Sequence, residues 1–209
     1  MLATKNLSHT YAGGQTFNFP DINCNASDSL VILGQSGVGK STLLHILAGI
    51  LKPTGGAVFV GESSLFELGA NKLDSYRGQN IGLVFQKPHF VQSVSAKENL
   101  ILAQRMAGRR VDDSRINNLL SQLHIDHRSQ AKTNTMSQGE QQRLSIARAL
   151  VNSPKVILAD EPTSALDDKN CEEVIQLLNT QAEAVGAALI IVTHDNRLKE
   201  FFTNHVELI

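Results

Sequence analysis

The stretch Gly34-Gln35-Ser36-Gly37-Val38-Gly39-Lys40-Ser41-Thr42 lies between an apolar run, Leu30-Val31-Ile32-Leu33, and the helix-like Leu43-Leu44-His45-Ile46-Leu47. Strand, glycine-rich turn and helix in that order predict a phosphate-binding loop. Glycines let successive backbone N–H groups turn inward around an anion, and the helix opening near Lys40 adds the positive end of its dipole. Lys40 would reach the β- and γ-phosphates of a nucleotide, Ser41 would offer its hydroxyl to Mg²⁺, and Thr42 is placed for a further phosphate contact. The plain alternative is a glycine turn that only caps a helix. Gly34, Gly39, Lys40 and Ser41 at fixed spacing, with a strand before and a helix after, argue against it.

Outward from this loop, short apolar runs bounded by turn formers predict strands at 29–33, 56–60, 81–85, 155–159 and 187–192. A helix over 41–51 ends at the breaker cluster Lys52-Pro53-Thr54-Gly55-Gly56. Strands alternating with helices imply an α/β fold, a largely parallel sheet with helices on both faces and ligands at the carboxyl ends of its strands. Between 90 and 152 the pattern turns helical. Ser95-Ala96-Lys97-Glu98 is a capping box opening a helix toward Met106 that Gly108 would stop, and a second helix runs over 112–123. A third opens at Ser137-Gln138-Gly139-Glu140, again with capping-box spacing, and carries Leu144, Ala147 and Val151 on one face.

The 209 residues fit one domain, 1–209, with the helical lobe 90–152 inserted in it. Nineteen Lys and Arg against twenty Asp and Glu leave a net charge of −1, so no basic excess argues for wrapping nucleic acid or an anionic membrane surface. Two cysteines, Cys24 and Cys171, far apart in sequence, fit a reducing compartment and a cytoplasmic location. The apolar runs are strand length, far short of the ~20 residues that span a bilayer. The start, Met1-Leu2-Ala3-Thr4-Lys5-Asn6, lacks the basic head and apolar core of a signal peptide. Membrane contact is therefore expected through a partner.

Two further strands deliver polar groups at their ends. Val156-Ile157-Leu158-Ala159 runs into Asp160-Glu161, a Walker B form. Neighbours on a strand point to opposite faces, so Asp160 would meet the Mg²⁺ shell while Glu161 faces an attacking water. Taken alone, such a pair is as readily a solvated strand end. Ile190-Ile191-Val192-Thr193 delivers His194, which could hydrogen-bond a γ-phosphate, and Phe85-Gln86 presents a glutamine able to bind Mg²⁺ and the water. Isolated, each reads equally as an exposed polar residue. His124 and His127 invite a metal reading, but no Cys or second His pair follows at ligand spacing, so they are taken as exposed helix ends.

Walker A at 34–42, Gln86, Met136-Ser137-Gln138-Gly139-Glu140-Gln141-Gln142-Arg143, Leu158-Ala159-Asp160-Glu161-Pro162-Thr163-Ser164-Ala165-Leu166-Asp167 and His194 together resemble the ATP-binding-cassette ATPases, in the family's order and spacing. The likeness runs from Asn6-Leu7-Ser8-His9-Thr10-Tyr11 to the final strand. It implies a P-loop NTPase core with an N-terminal antiparallel β part, ATP and Mg²⁺ as cofactors, and a second copy of the chain as partner. Nucleotide would then lie between two copies, with Ser137, Gln138, Gly139 and Glu140 completing the site of the facing one. A helix N-terminus suits that role through its unpaired N–H groups and positive dipole end. The resemblance gives Tyr11 to adenine stacking, Gln86 to sensing Mg²⁺ and the γ-phosphate, Glu161 to activating water, His194 to the γ-phosphate, and Asp167 to coupling the two sites.

One departure stands out. The family usually has glycine where this chain has Gln138, and a side chain there would crowd the facing phosphate or change the helix entry. Arg77-Gly78-Gln79-Asn80-Ile81-Gly82-Leu83-Val84-Phe85-Gln86 and 137–150 look like the lipoprotein-release and macrolide-export subfamily, whose cassettes sit on the cytoplasmic face of the inner membrane against a separately encoded permease. Lys87-Pro88-His89-Phe90-Val91-Gln92, apolar for a loop, is the candidate docking surface; the alternative is that Phe90 and Val91 pack under the helical lobe. The rival functions are an ATP-driven scaffold that moves no substrate, a soluble ABC-type ATPase, and a small-molecule kinase.

Overall fold

The strand before the glycine loop is apolar at every interior position because both of its faces are covered. The computed structural model describes residues 1–164 and 166–209; Ala165, part of the quoted 158–167 stretch, lies outside the described residues. β1 (Leu2–Thr10), β2 (Thr16–Asn18) and β3 (Asn23–Cys24) open the chain, and β4 (Ser29–Gly34) leads through the loop into α1 (Lys40–Leu47). β5 (Gly55–Val60), β6 (Ser63–Ser64), α2 (Ala70–Asn80), β7 (Ile81–Val84), α3 (Ala96–Met106), α4 (Asp113–Gln122) and α5 (Gln138–Leu150) follow. After them come β8 (Val156–Asp160), α6 (Asp168–Ala184), β9 (Ala188–Thr193) and β10 (His205–Leu208).

Among the described residues the strands make two sheets. One is parallel throughout, in the order β10-β4-β9-β8-β7. The other is antiparallel, β2-β1-β5-β6, with β3 also on β1. The strand expected over 56–60 joins this second sheet, pairing Leu2 with Val60 and Lys5 with Ala57. Its burial alternates along its second half, as befits a strand covered on one face, whereas β4, β8 and β9 of the parallel sheet are buried on both.

Side-chain alternation divides the interior in two. Leu30, Ile32, Leu158, Ile190 and Val192 face α1 and the antiparallel sheet, meeting Leu43, Leu44 and Leu47. Val31, Leu33, Ile157, Ala159, Leu189 and Ile191 face the helices, meeting Leu100, Leu144, Leu150 and Ile175. A core of this size supplies the hydrophobic drive at ~25 cal/mol per Å² of apolar surface buried. Gly82 in β7 permits the close approach of α5, because a Cβ there would stand 2.4 Å from the Ala149 carbonyl oxygen.

Helix ends follow their local signals, with one correction. α1 stops at Leu47 rather than reaching 51. Gly49 takes φ +69°, and the Gly49 and Ile50 N–H groups donate back to the Ile46 and His45 carbonyls at 2.9 and 2.8 Å. That is a left-handed glycine ending, and it precedes the proline cluster that the sequence offers as the stop. Gly108 ends α3 in the same way, with φ +70°. Both capping boxes form, Ser95 with Glu98 and Ser137 with Glu140. α2 and α6 were not among the expected helices: α2 buries no residue completely, whereas α6 buries Cys171, Ile175, Leu178 and Ala182 along one face.

Candidate functional site

β4, β9, β8 and β7 lie side by side and run the same way, so their carboxyl ends share one edge of the sheet, where ligands bind in open α/β folds. That edge opens into a cavity of about 850 Å³, bordered by the glycine loop, Tyr11, Gln86, Asp160, Glu161 and His194. The sequence scatters these residues over the chain; the order of the parallel strands brings the glycine loop, Gln86, Asp160, Glu161 and His194 together, and the antiparallel sheet adds Tyr11.

The loop's conformation requires its glycines. Gly37 and Gly39 take φ +91° and +98°, and a Cβ on Gly39 would lie 2.6 Å from the Phe17 ring. Gly39 precedes α1 with no side-chain cap, which leaves the first-turn N–H groups for an anion. Gln35, Ser36, Gly37, Gly39, Lys40, Ser41 and Thr42 border the cavity. Gly34 and Val38, expected with them, lie on the back of the loop: a Cβ on Gly34 would meet the Val38 side chain at 2.8 Å and the Leu208 carbonyl at 3.1 Å. The apolar Val38 side chain packs toward the core, so its contribution to the cradle is backbone only. Lys40 Nζ donates to the Gly34 and Gln35 carbonyls at 2.7 and 2.8 Å. Those bonds hold the ammonium at the border of the cavity.

Tyr11 is half exposed at the cavity wall, and its hydroxyl shares a hydrogen bond of 2.9 Å with Thr42 Oγ1. Its ring stands edge-on to His9 and Phe17, with centroids 4.6 and 6.2 Å away. Exposed at the border of the cavity, the ring is placed to meet a flat aromatic ligand. Thr42 is buried, and with its hydroxyl engaged by Tyr11 it couples the aromatic wall to the loop.

Asp160 and Glu161 diverge, but not by strand pleating as the sequence suggests. β8 ends at Asp160, and Glu161 turns out of it at φ +46°. Its N–H donates to the Val192 carbonyl at 2.8 Å, which holds a left-handed conformation costly for a residue with a Cβ. The turn aims the Glu161 carboxylate at the end of β9. There it accepts from the Thr193 hydroxyl at 2.7 Å and from the His194 N–H at 3.2 Å, and lies 2.7 Å from His194 Nδ1. Burial raises the pKa of Asp160 above the ordinary carboxylate value, helped by the Glu161 charge and opposed by His45 and Lys40. A cation beside it would favour the ionised form.

Ser137, Gln138, Gly139 and Glu140 do not border this cavity. Gln138 instead shares a small recess with Gln86, Glu161 and Ser164, and Gln86 Nε2 donates to Ser164 Oγ at 3.0 Å. The helix entry is intact: the Ser137 N–H donates to Glu140 Oε2 at 2.7 Å and the Glu140 N–H to Ser137 Oγ at 3.3 Å. The Ser137 backbone bond, aided by Arg128 and His127, holds the Glu140 carboxyl below its ordinary range. His127 thus belongs to the foot of this helix, 3.3 Å from Glu140. Among the described residues no group of three or more His, Cys, Asp or Glu side chains is arranged to hold a metal ion.

The candidate docking stretch divides. Phe90 packs against the core with the Arg148 guanidinium 4.8 Å above its ring, whereas Val91 stays 48% exposed. Beside it a groove of about 470 Å³ runs between α2, β7, α3 and α5, bordered by Arg77, Phe85, His89, Met106 and Arg148. Met106 on its rim is 84% exposed. Two residues that sequence reasoning passed over also matter: Thr193, a buried hydroxyl between two functional positions, and Arg197, discussed below. A polar residue at the end of a wholly apolar strand was the signal for Thr193.

The description "ABC transporter" matches residues 18–164. The lipoprotein-releasing system ATP-binding protein LolD of Idiomarina loihiensis is 39% identical over 96% of this chain and 90% of its own length. LolD of Geobacter metallireducens is 37% identical over the whole chain and 96% of its length. Among solved structures, a dimeric post-hydrolysis state of the ATP-binding cassette MJ0796, bound to ADP and Pi, superposes with a TM-score of 0.87 at 33% identity, covering all of this chain and 94% of that one. With the cavity, loop and strand ends placed as described, the conclusion is that this chain belongs to the ABC transporter family, as one of its ATPase cassettes.

Proposed function

We propose that this chain is the ATP-hydrolysing subunit of a membrane complex of the export or mechanotransmission type. Two copies clamp two ATP face to face, and closure drives a membrane permease. In this reading 1–209 is one cassette with a helical lobe over 90–152. The cassette works at the cytoplasmic face of the cell membrane, held there by its partner; among the described residues no helix is long and apolar enough to cross a membrane. The likeness to LolD favours a partner of the lipoprotein-release kind.

One observation carries the two-copy reading. The loop cavity is lined by Tyr11, Gln86, Lys40, Asp160, Glu161 and His194, while the capped end of α5 stands outside it. Gly139 in that helix end has nothing within 4 Å of an added Cβ and no unusual φ. Among the described residues the space beside Gly139 is open, which leaves this helix end accessible to a group arriving from outside, the γ-phosphate held by a facing copy.

The donor set suits Mg²⁺. Ser41 hydroxyl, Asp160 carboxylate and Gln86 carbonyl are hard oxygen ligands bordering one cavity, and Mg²⁺ takes one or two protein oxygens beside phosphate and water. When bound it neutralises the charge of the β- and γ-phosphates. Lys40 exchanges its loop carbonyls for phosphate oxygens, and Tyr11 stacks on adenine. Glu161, oriented by Thr193 and His194, takes the proton of the attacking water. The facing Ser137 hydroxyl, whose oxygen accepts from the Glu140 N–H and whose proton is free, and the Gly139 N–H would stabilise the charge that builds on the γ-phosphoryl oxygens.

The partner is assigned to the groove between α2, α3 and α5, on whose mixed polar and apolar rim Met106 is an exposed apolar side chain. Met106→Glu should leave hydrolysis by the isolated chain within about twofold, because surface substitutions away from a site are nearly neutral, and should abolish co-purification of the native membrane protein. Retention of that partner at wild-type yield would refute the docking assignment. Copurification of soluble proteins alone with the wild-type chain would refute the transport reading itself.

Gln138 sets a second expectation. Its side chain adds bulk and amide dipoles where a facing phosphate arrives. Gln138→Gly should raise kcat several-fold, roughly 3- to 10-fold, with the ATP Kd of the single chain unchanged, since the residue lies outside that chain's own cavity. Steady-state hydrolysis alongside nucleotide titration checks it; an unchanged or lower kcat contradicts the crowding argument.

A further inference from the structure

Arg197, two residues beyond the end of the loop that carries His194, binds three groups at once. Its Nε donates to both Asp195 carboxylate oxygens at 2.9 and 3.1 Å, and Nη2 to Oδ2 at 2.7 Å. Nη1 donates to Asp168 Oδ1 at 2.5 Å. Both terminal nitrogens also approach the Leu166 carbonyl, at 3.5 and 3.4 Å. One guanidinium therefore ties the loop leaving β9 to the start of α6, at residues 166–168.

The tie continues to the centre of the site. Asp195 Oδ2 accepts from the hydroxyl of Thr163, which is fully buried beside Pro162 in the turn after β8. The Asp195 N–H donates to Thr193 Oγ1 at 3.0 Å, and that hydroxyl donates to Glu161 Oε2 at 2.7 Å. Polar contacts thus run unbroken from the Glu161 carboxylate through Thr193, Asp195 and Arg197 to Leu166 and Asp168. A flat fork of donors can hold a carboxylate and a carbonyl together, which a lysine ammonium does with less geometric control. The Asp168 carboxylate is 92% exposed, and an ion pair so open to water adds little stability. Its consequence is positional.

We propose that Arg197 is a positioning residue for hydrolysis: it locks residues 166–168 to the strand end bearing Thr193 and His194, so that displacement of that segment by a second copy is transmitted to Glu161. This rests on the reading above, in which Glu161 directs water and two copies meet face to face, and on the resemblance that gives Asp167 to coupling the two sites. It goes beyond it by naming the side chain through which contact between copies reaches the carboxylate.

The test uses the full chain, measuring ATP hydrolysis and ATP binding separately. Arg197→Ala should lower kcat about tenfold while KM for ATP stays within about twofold, because positioning is lost and ground-state binding is not. Asp168→Asn should lower kcat in the same sense, and the double variant should be no slower than Arg197→Ala, as expected for two residues acting through one contact. If Arg197→Ala fails to fold, Asp168→Asn decides alone, since its exposed side chain carries no packing: reduced kcat at unchanged KM supports the proposal, and unchanged kcat overturns it. A fall in kcat matched by an equal rise in KM, or additive losses in the double variant, also overturns it. A wild-type chain that hydrolyses no ATP would refute the underlying reading as well, whereas unaffected variants of an active wild type refute this inference alone.

Discussion

Glu161→Gln should lose hydrolysis by about 10²- to 10⁴-fold, the usual worth of a positioned general base, while still binding ATP. The amide is isosteric. It keeps an oxygen to accept from the Thr193 hydroxyl, 2.7 Å from the carboxylate in the native chain, so the left-handed turn at φ +46° should persist. What it loses is the capacity to take a proton. The closed pair then has no route to product, and with saturating Mg-ATP the variant should elute at twice the monomer mass. Multi-angle light scattering with and without nucleotide reads this directly. A Glu161→Gln chain that remains monomeric under those conditions contradicts the face-to-face arrangement.

Lys40→Met should weaken ATP binding at least about 30-fold, the loss of ~2 kcal/mol expected when a charge-assisted contact is removed from a partly desolvated site. Methionine preserves most of the stem, so the lost contribution is the ammonium that now lies 2.7 and 2.8 Å from the loop carbonyls. Fold stability should change little: a half-buried Lys that donates only to its own loop is no core contact. Isothermal titration of the variant with ATP, set beside its thermal unfolding, separates the two effects. Affinity within threefold of wild type would remove Lys40 from the phosphates.

Local chemistry made much of this chain readable. The Gly34 to Ser41 spacing, the two capping boxes and the apolar runs of β4, β8 and β9 each depend on neighbours in sequence, and each lies where those signals place it. Features set by tertiary approach were not readable. α1 ends at Gly49 because a left-handed glycine satisfies its carbonyls before the proline cluster arrives. Val38 turns from the cavity because Leu208, from the far end of the chain, packs behind the loop. Asp160 and Glu161 separate through a left-handed turn rather than through strand alternation, and no residue pattern announces such a turn. α2 escaped notice because it buries none of its side chains completely, which leaves no periodic apolar face to detect. The Arg197 tie joins residues about thirty positions apart and has no local signature at all.

The central claim, that each site is built from the loop of one copy and the α5 end of the other, has a direct test in mixed chains. Gly139→Asp supplies the second lesion. Among the described residues an added Cβ there meets nothing within 4 Å, and an acid in the first turn of a helix suits the dipole, so the variant should fold while repelling a facing phosphate. Lys40→Met and Gly139→Asp should each be inactive alone. Mixed, they can form a pair in which an intact loop meets an intact helix end, and ATP hydrolysis should reappear. If the mixture, with pairing between the two chains verified, stays as inactive as its parents, each site is complete within one chain and the account fails.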